Sequence, residues 1–402
     1  MKTTKIGIIR EGKVPPDKRV PLSPHECKEL LAAYLQLEII IQPSPIRCYS
    51  DQEYLAAGLS LSEDLSNCDY LLGIKEVPLE MLIPNKKYLF FSHTIKKQPH
   101  NQKLLKNILE KNIQLIDYEC LTDAEHQRVI GFGRYAGVIG AYNGILGYGT
   151  RYDLFNMMPA FEFHNRHELF DELKHVKLPN IKILITGGGR VANGVIEIMG
   201  ALKMRKVTPY EFLNCSFRES VYCQLHSKDY HQANDEASWS SIDFYNHPEK
   251  YKSTFLPFTR VCDLLITAHF WDPASPRLFE KKDIRSPDFR ISVIADISCD
   301  INGSVPSTLK ASTIAEPFYG YNPLTESIDE PFRKDTITIM AVDNLPCELP
   351  RDASEDFGKE LIERVMPHLL GDDKDDMIER ASISKNGMLT PAFEYLSDYC
   401  DQ

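Results

Sequence analysis

Ile181-Lys182-Ile183-Leu184-Ile185-Thr186-Gly187-Gly188-Gly189-Arg190-Val191-Ala192-Asn193-Gly194 runs from an apolar stretch through three consecutive glycines into VIEIMGALKM, a helical pattern at 195–204. Residues 181–186 read as a buried strand, and a strand that turns through glycine directly into a helix is the context in which G-x-G-x-x-G/A has a mechanism. Gly187, Gly189 and Ala192 fill the three small positions. The first allows the tight turn, the second lets the backbone approach a pyrophosphate, and the third lets the helix pack on the strand. Arg190 and Val191 then open a helix whose free N–H groups and positive end attract phosphates. A purely structural turn is the competing reading, and strand, helix and following strand in register favour a dinucleotide site. One part of the fingerprint is missing: an Asp or Glu about 20 residues on, at the end of the second strand, to bind the adenosine ribose. That region reads Met204-Arg205-Lys206-Val207-Thr208-Pro209-Tyr210-Glu211, so the acid is absent or displaced to Glu211, with two cations close by. Without an acid to repel a 2′-phosphate, either NAD or NADP fits, and the balance tips to NADP. Thr208 joins the candidate cofactor residues.

Upstream, short apolar runs suited to buried strands (IGIIR at 6–10, LEIII at 37–41, YLLGIK at 70–75, KYLFFSH at 87–93, IQLIDYE at 113–119) alternate with PHECKELLAAYLQ and NQKLLKNILEKN, whose apolar residues recur three and four apart. This β-α-β rhythm calls for mainly parallel sheets with helices on their faces. The glycine-studded segment from 131, GFGRYAGVIGAYNGILGYGTRYD, suits a helix packed closely on a neighbour and marks a boundary. Downstream of the turn, VCDLLITAHF and RISVIADIS read as further strands, and 214–255 as a functional flap or irregular insertion. TITIMAVDNLPCELPRDASEDFGKELIERVMPHLL reads as strand, Pro-bounded turn and long helix, and DDKDD at 372–376 as a solvated helix start. The expected class is α/β, with two Rossmann-like domains flanking an active-site cleft: 1–132 plus 336–402, and 133–335.

Composition narrows the function. With 57 Asp plus Glu against 46 Lys plus Arg among 402 residues, the formal charge is −11, which repels polyphosphate and leaves no basic stripe for nucleic acid. Hydrophobic residues at 43% and charged residues at 26% are those of a globular chain. No secretory leader pattern and no apolar run near 20 residues occurs, so a cytoplasmic protein without a membrane segment is expected. The ten cysteines are dispersed without a C-x-x-C pair, and the histidines lack partners at metal-ligating spacings, so reduced, mostly buried thiols and no metal site are expected.

Ligands of open α/β sheets bind beyond the carboxyl ends of strands. Lys75 and Glu76 close YLLGIK, His93 closes KYLFFSH with Lys96 three residues on, and Glu119 closes IQLIDYE. Each alone is more often a solvated or structural residue. Together, three consecutive strands delivering Lys, His and Glu point to one pocket. Arg19 in the N-terminal loop adds a fork suited to a carboxylate.

The motifs GIKE at 73–76, FFSHTIK at 90–96, IDYE at 116–119, GRYAG at 133–137, GGGRVANG, ADIS at 295–298 and VDNLPCELPRDAS at 342–354 resemble the lysine-forming saccharopine dehydrogenases, which group with alanine dehydrogenase and the transhydrogenase nucleotide domain. FFSHTIK, NHPEKY, FWDPASPRLF and TIAEPF further resemble the lysine–ketoglutarate reductase half of the aminoadipic semialdehyde synthases. The resemblance implies NAD(P)-dependent condensation of lysine with 2-oxoglutarate to saccharopine, or its reversal. It implies acid–base roles for Lys75 and His93, substrate binding by Arg19, Lys96, Glu119 and Arg128, and approach of Val342-Asp343-Asn344-Leu345 to the nicotinamide. A homo-oligomer is compatible with it. The rivals are an alanine dehydrogenase-like enzyme with a smaller substrate, and a nucleotide-binding regulatory module without turnover.

Overall fold

The computed structural model describes residues 3–401. The chain forms two compact units, one built from residues up to Phe132 together with those from Pro350 onward, the other from Gly133–Leu349. The return to the first unit was expected at 336 and occurs at Pro350, because Ile337–Met340 pairs in parallel with Val293–Asp296 in the second unit's sheet. Pairing, invisible along the sequence, decides the ownership of residues 336–349.

In the first unit, β1 (Thr4–Ile8), β2 (Leu37–Ile41), β3 (Ser60–Leu61), β4 (Tyr70–Leu72), β5 (Lys87–Phe90) and β6 (Gln114–Asp117) form a parallel sheet in the order β3-β2-β1-β4-β5-β6. Antiparallel strands Ser382–Lys385 and Met388–Leu389 extend it beyond β6. Strand residues alternate between two cores. Leu72, Leu89 and Ile116 pack with Phe357 on one face, while Leu71, Tyr88, Phe90 and Leu115 pack with Leu105 and Ile108 on the other. Burial on both faces explains the nearly continuous apolar runs. Helix Pro24–Ala33 starts at a Ser23/Glu26 capping box with Pro24 at its first position, a combination that satisfies free N–H groups. Strand order reverses between β1 and β4, so the loops leaving those strands flank the switch point where ligands bind.

The second unit contains β7 (Lys182–Thr186), β8 (Arg205–Lys206), β9 (Val221–Leu225), the hairpin of β10 (His231–Ala233) and β11 (Tyr251–Ser253), β12 (Leu264–Thr267), β13 (Val293–Asp296), β14 (Phe318–Asn322), β15 (Ser327–Asp329) and β16 (Ile337–Met340). Its large sheet runs β16-β13-β12-β7-β9-β8 in parallel, with β14 and β15 antiparallel beyond β16. The strand beside β7 is therefore β9, whereas β8, the segment expected to be the second nucleotide strand, is two exposed residues at the edge. Helix Gly133–Tyr152 crosses helix Arg190–Ala201 at glycines. A Cβ on Gly137 would lie 1.9 Å from the Val191 carbonyl oxygen, and one on Gly194 would lie 2.0 Å from that of Arg134. The stretch 214–255, expected as a flap or irregular insertion, supplies sheet strand β9 and a hairpin with its own small core of Ala233, Phe244 and Tyr251, packed by Trp239. Its aromatics lack sequence period because they converge around a hairpin.

Of the ten cysteines, all free, Cys27, Cys68, Cys223 and Cys262 are buried and Cys215 is exposed. Among the described residues no helix is long and apolar enough to cross a membrane, and no group of three His, Cys, Asp or Glu could hold a metal ion.

Candidate functional site

The first unit gathers its titratable side chains at the strand ends around the β1/β4 switch point. Glu11, just beyond β1, accepts the backbone N–H groups of Ile74 (2.7 Å) and Lys75 (3.0 Å), one on each carboxylate oxygen. One acid thus fixes the loop that carries Lys75. Burial, with the nearby charge of Asp17, pushes the Glu11 carboxyl up to about 8 despite those two donors. Lys75 is half-buried, and its ammonium is held below its ordinary value first by burial, then by the cations Arg19 and Lys13. These causes favour the neutral amine, the form that takes up a proton.

Glu76 sits between an imidazole and an ammonium, with Oε1 2.5 Å from His93 Nδ1 and Oε2 2.9 Å from Lys13 Nζ. Burial works to raise its carboxyl, but the His93 hydrogen bond and charge and the Lys13 contact outweigh it and hold the group at about 2. A carboxylate on one ring nitrogen orients an imidazole and leaves the other nitrogen for chemistry, the logic of a base with its positioning acid. His93 itself lies in a left-handed turn (φ 54°) that ends β5 sharply. Buried Asp117 accepts the N–H groups of Ser92 (3.0 Å) and Glu119 (2.7 Å), so one carboxylate holds the loops after β5 and β6.

Arg19 is 4% exposed and forms a two-point pair with Asp17 (3.0 and 2.6 Å), its guanidinium 4.1 Å from the centre of the Phe132 ring. Burial of Asp17 is outweighed by Arg19, which holds that carboxyl at about 2. Lys96 and Arg128 both face Glu119, at 3.3 and 3.7 Å, and each is about half exposed, so two cations share one acid. The six first-unit candidates thus fall into two groups: Lys75, His93 and Arg19 with their acids, and Lys96, Glu119 and Arg128. Glu11 and Asp17 escaped the sequence reading. Glu11 carried a findable signal, since it directly follows the first strand as Lys75, His93 and Glu119 follow theirs.

In the second unit, Gly187 leaves β7 at φ 101°, a conformation that favours glycine, and a Cβ there would lie 2.4 Å from the Ala268 carbonyl oxygen. Gly189 begins the helix Arg190–Ala201 in extended backbone, and nothing lies within 4 Å of where its Cβ would stand. Open space over a backbone N–H at a twelve-residue helix start is what a pyrophosphate needs, so these residues fit a dinucleotide. Ala192 is fully buried, as helix-on-strand packing demands, and Arg190 and Val191 occupy the first turn. Thr208 is set apart from the turn: it follows edge strand β8, on the far side of β9, and caps helix Pro209–Asn214. Glu211 accepts both the N–H and the hydroxyl of Thr208 at 2.8 Å, so the acid suspected of having been displaced toward the ribose is spent on that cap. Val342-Asp343-Asn344-Leu345 follows β16, three strands along from β7 on the same carboxyl edge, with Asp343 exposed and Val342 and Leu345 buried.

Residues 7–139 match the family model described as alanine dehydrogenase/PNT, N-terminal domain. Alpha-aminoadipic semialdehyde synthase of Arabidopsis thaliana is 30% identical to this chain, over 97% of it and 41% of the relative. Saccharopine dehydrogenase [NAD(+), L-lysine-forming] of Yarrowia lipolytica is 26% identical over 89% of this chain and 90% of its own. The chain spans less than half the length of the semialdehyde synthases it matches. In fold it is similar to an L-alanine dehydrogenase, with a TM-score of 0.65 and 16% identity over 98% of this chain and 100% of that one.

Proposed function

We propose that this chain, a relative of the alpha-aminoadipic semialdehyde synthases and lysine-forming saccharopine dehydrogenases, is an NAD(P)-dependent oxidoreductase of the lysine–ketoglutarate reductase type, joining lysine and 2-oxoglutarate to give saccharopine or running that reaction backward. The observation that carries the reading lies at the strand ends of the first unit: Lys75, held by burial and neighbouring cations below its ordinary value, directly precedes Glu76, whose carboxylate fixes the His93 imidazole.

The substrate amine must be neutral to attack the oxo carbon, the adduct must lose water to become an imine, and the reduced product must take up a proton at nitrogen. A bound nicotinamide cofactor supplies or receives hydride. Gly187, Gly189 and the first turn at Arg190 and Val191 would hold its pyrophosphate. Lys75 serves the carbinolamine and imine steps, where a group with a depressed ammonium gives up its proton more readily than a free lysine. His93, fixed through Nδ1 by Glu76, exchanges a proton at the substrate nitrogen through Nε2. Saccharopine carries three carboxylates, for which Lys96 and Arg128, two cations sharing Glu119, supply partners, and Arg19 adds a third cation already oriented by Asp17.

The test is oxidation of NADPH with lysine and 2-oxoglutarate, each omitted in turn. Consumption that needs both is expected. Consumption with ammonia and pyruvate instead would assign the alanine dehydrogenase-type reaction, and none with any amine and oxoacid pair would refute turnover.

A further inference from the structure

In the second unit, the turn Leu345–Glu348 buries a carboxyl group and leaves one of its oxygens unused. Glu348 is 3% exposed. Its Oε1 accepts the Asn143 amide at 2.9 Å, and among the described residues Oε2 has no hydrogen-bond partner. Both residues line a cavity of about 220 Å³. The rest of its wall is mainly apolar. Ile314, Phe318 and Phe332 contribute to it, the two rings 5.5 Å apart between centres, and Phe161, 42% exposed, marks where it meets solvent. Among the described residues no cation and no second carboxyl lines the cavity. The neighbouring titratable group is Tyr142, whose hydroxyl donates to the Met158 carbonyl at 2.6 Å and which burial keeps protonated far above neutrality. We propose that this cavity binds a small hydrophobic amine, with the ammonium on Glu348 and the apolar body against Phe161, Phe318 and Phe332. The inference stands apart from the reaction proposed above.

Charge, shape and size select that ligand. A buried carboxylate requires a cation, and since the wall holds none, the ligand must bring it. Burial raises the Glu348 carboxyl to about 8, as expected of an acid that faces an apolar hollow without a counter-ion. Aromatic faces pack hydrocarbon and attract an ammonium. The volume falls below the roughly 300–1,000 Å³ of sites for drug-sized ligands. At about 30 Å³ for each water it would hold about seven, which suits a ligand of roughly seven to ten non-hydrogen atoms. The bland alternative is that Glu348 merely ties its turn to Asn143 on helix Gly133–Tyr152. That role uses Oε1 and explains neither the unpaired Oε2 nor the hollow lined by the same side chain. A ligand with a carbonyl instead of an amine would take the proton of the neutral acid, and its affinity would change with pH in the opposite direction.

The test is calorimetric titration of the full chain with 2-phenylethylamine and with its uncharged counterpart 2-phenylethanol, in wild type, Glu348→Gln and Ala315→Trp. Ala315 is an exposed residue of the cavity wall, so a larger side chain there fills the cavity from its solvent side, and thermal melting checks that both variants fold. Near pH 8.5 wild type should bind the amine with a Kd of about 1 mM or tighter, about 10-fold or more below that of the alcohol, the worth of one charge-assisted hydrogen bond. From about pH 6.5 to 8.5 its affinity should rise about 10-fold or more, because below about 8 the carboxyl must release a proton to receive an ammonium that stays charged throughout. Glu348→Gln should abolish both the preference for the amine and the pH dependence, and Ala315→Trp should weaken both ligands several-fold. Equal binding of amine and alcohol, an affinity for the amine that falls as pH rises, amine binding unchanged in either variant, or no amine binding by wild type would each overturn the proposal.

Discussion

Substituting alanine at two positions of one turn should separate a glycine needed by the fold from a glycine needed by the ligand. At Gly189 the backbone (φ −90°, ψ −163°) suits any residue, and the added methyl meets nothing within 4 Å. The reduced freedom of the unfolded chain favours Gly189→Ala by about 0.4–1 kcal/mol. The poorer cap that alanine makes at a helix start costs about as much. Stability without cofactor should therefore stay within about 1 kcal/mol of wild type. With cofactor, the methyl stands where a phosphate oxygen must approach the backbone N–H. Loss of one charged hydrogen bond, at about 1.5–3 kcal/mol, weakens binding about 10- to 150-fold. Gly187→Ala should behave oppositely. Its φ of 101° and the Ala268 carbonyl oxygen 2.4 Å from the new carbon force the turn to move, at a cost of about 3 kcal/mol in the free protein. Urea unfolding without cofactor measures the first quantity, and NADPH titration by fluorescence the second. A Gly189→Ala variant that binds NADPH as tightly as wild type would refute the placement of the pyrophosphate.

Lys75→Met and His93→Gln should each lower turnover about 100-fold or more while NADPH binding stays nearly intact. Wild-type rates in both would remove their acid–base roles. Glu11→Gln offers one acceptor and one clashing amide to the two N–H groups now bound at 2.7 and 3.0 Å, so kcat should fall about 10- to 100-fold through misplacement of Lys75, with cofactor affinity unchanged. An unaltered kcat and pH profile would show that this loop is held by other contacts. In the second unit, Glu348 is buried with the Asn143 amide 2.9 Å from Oε1, and burial raises its carboxyl from 4.5 to about 8. The folded state then holds a proton that the unfolded state releases, so no penalty exists below pH 4.5. Destabilisation grows as pH rises from there to about 8, to a ceiling of about 5 kcal/mol. Glu348→Gln should flatten this fall in urea midpoints between pH 5 and 8, and parallel curves for the two proteins would contradict it.

The glycine turn was readable in the sequence because its physics is local. A positive φ, a helix start and a clear space over Gly189 all arise within a few residues. That Lys75, His93 and Glu119 stand at strand ends was readable for a different reason: parallel α/β sheets place function there, and LEIII at 37–41 is β2 residue for residue, which kept the register of the rhythm true. The position of Glu11 after the first strand was visible, but its role was not, because its partners are backbone N–H groups 63 and 64 residues away. The neighbour of β7 was misplaced for a related reason. Spacing along the chain finds the next strand in sequence, β8, but hydrogen bonding selects the neighbour in space. VYCQL, with four of its five side chains buried, outcompetes the two exposed residues Arg205 and Lys206 for the place beside β7. The same competition moved residues 336–349 to the second unit, since ITIM is buried along its whole length only when it lies between β13 and β14. Where two segments contend for one slot, burying more apolar surface at about 25 cal/mol per Å² decides the topology. The strand that wins carries its end residues to the carboxyl edge beside the glycine turn, so the packing of β9 decides which side chains stand there.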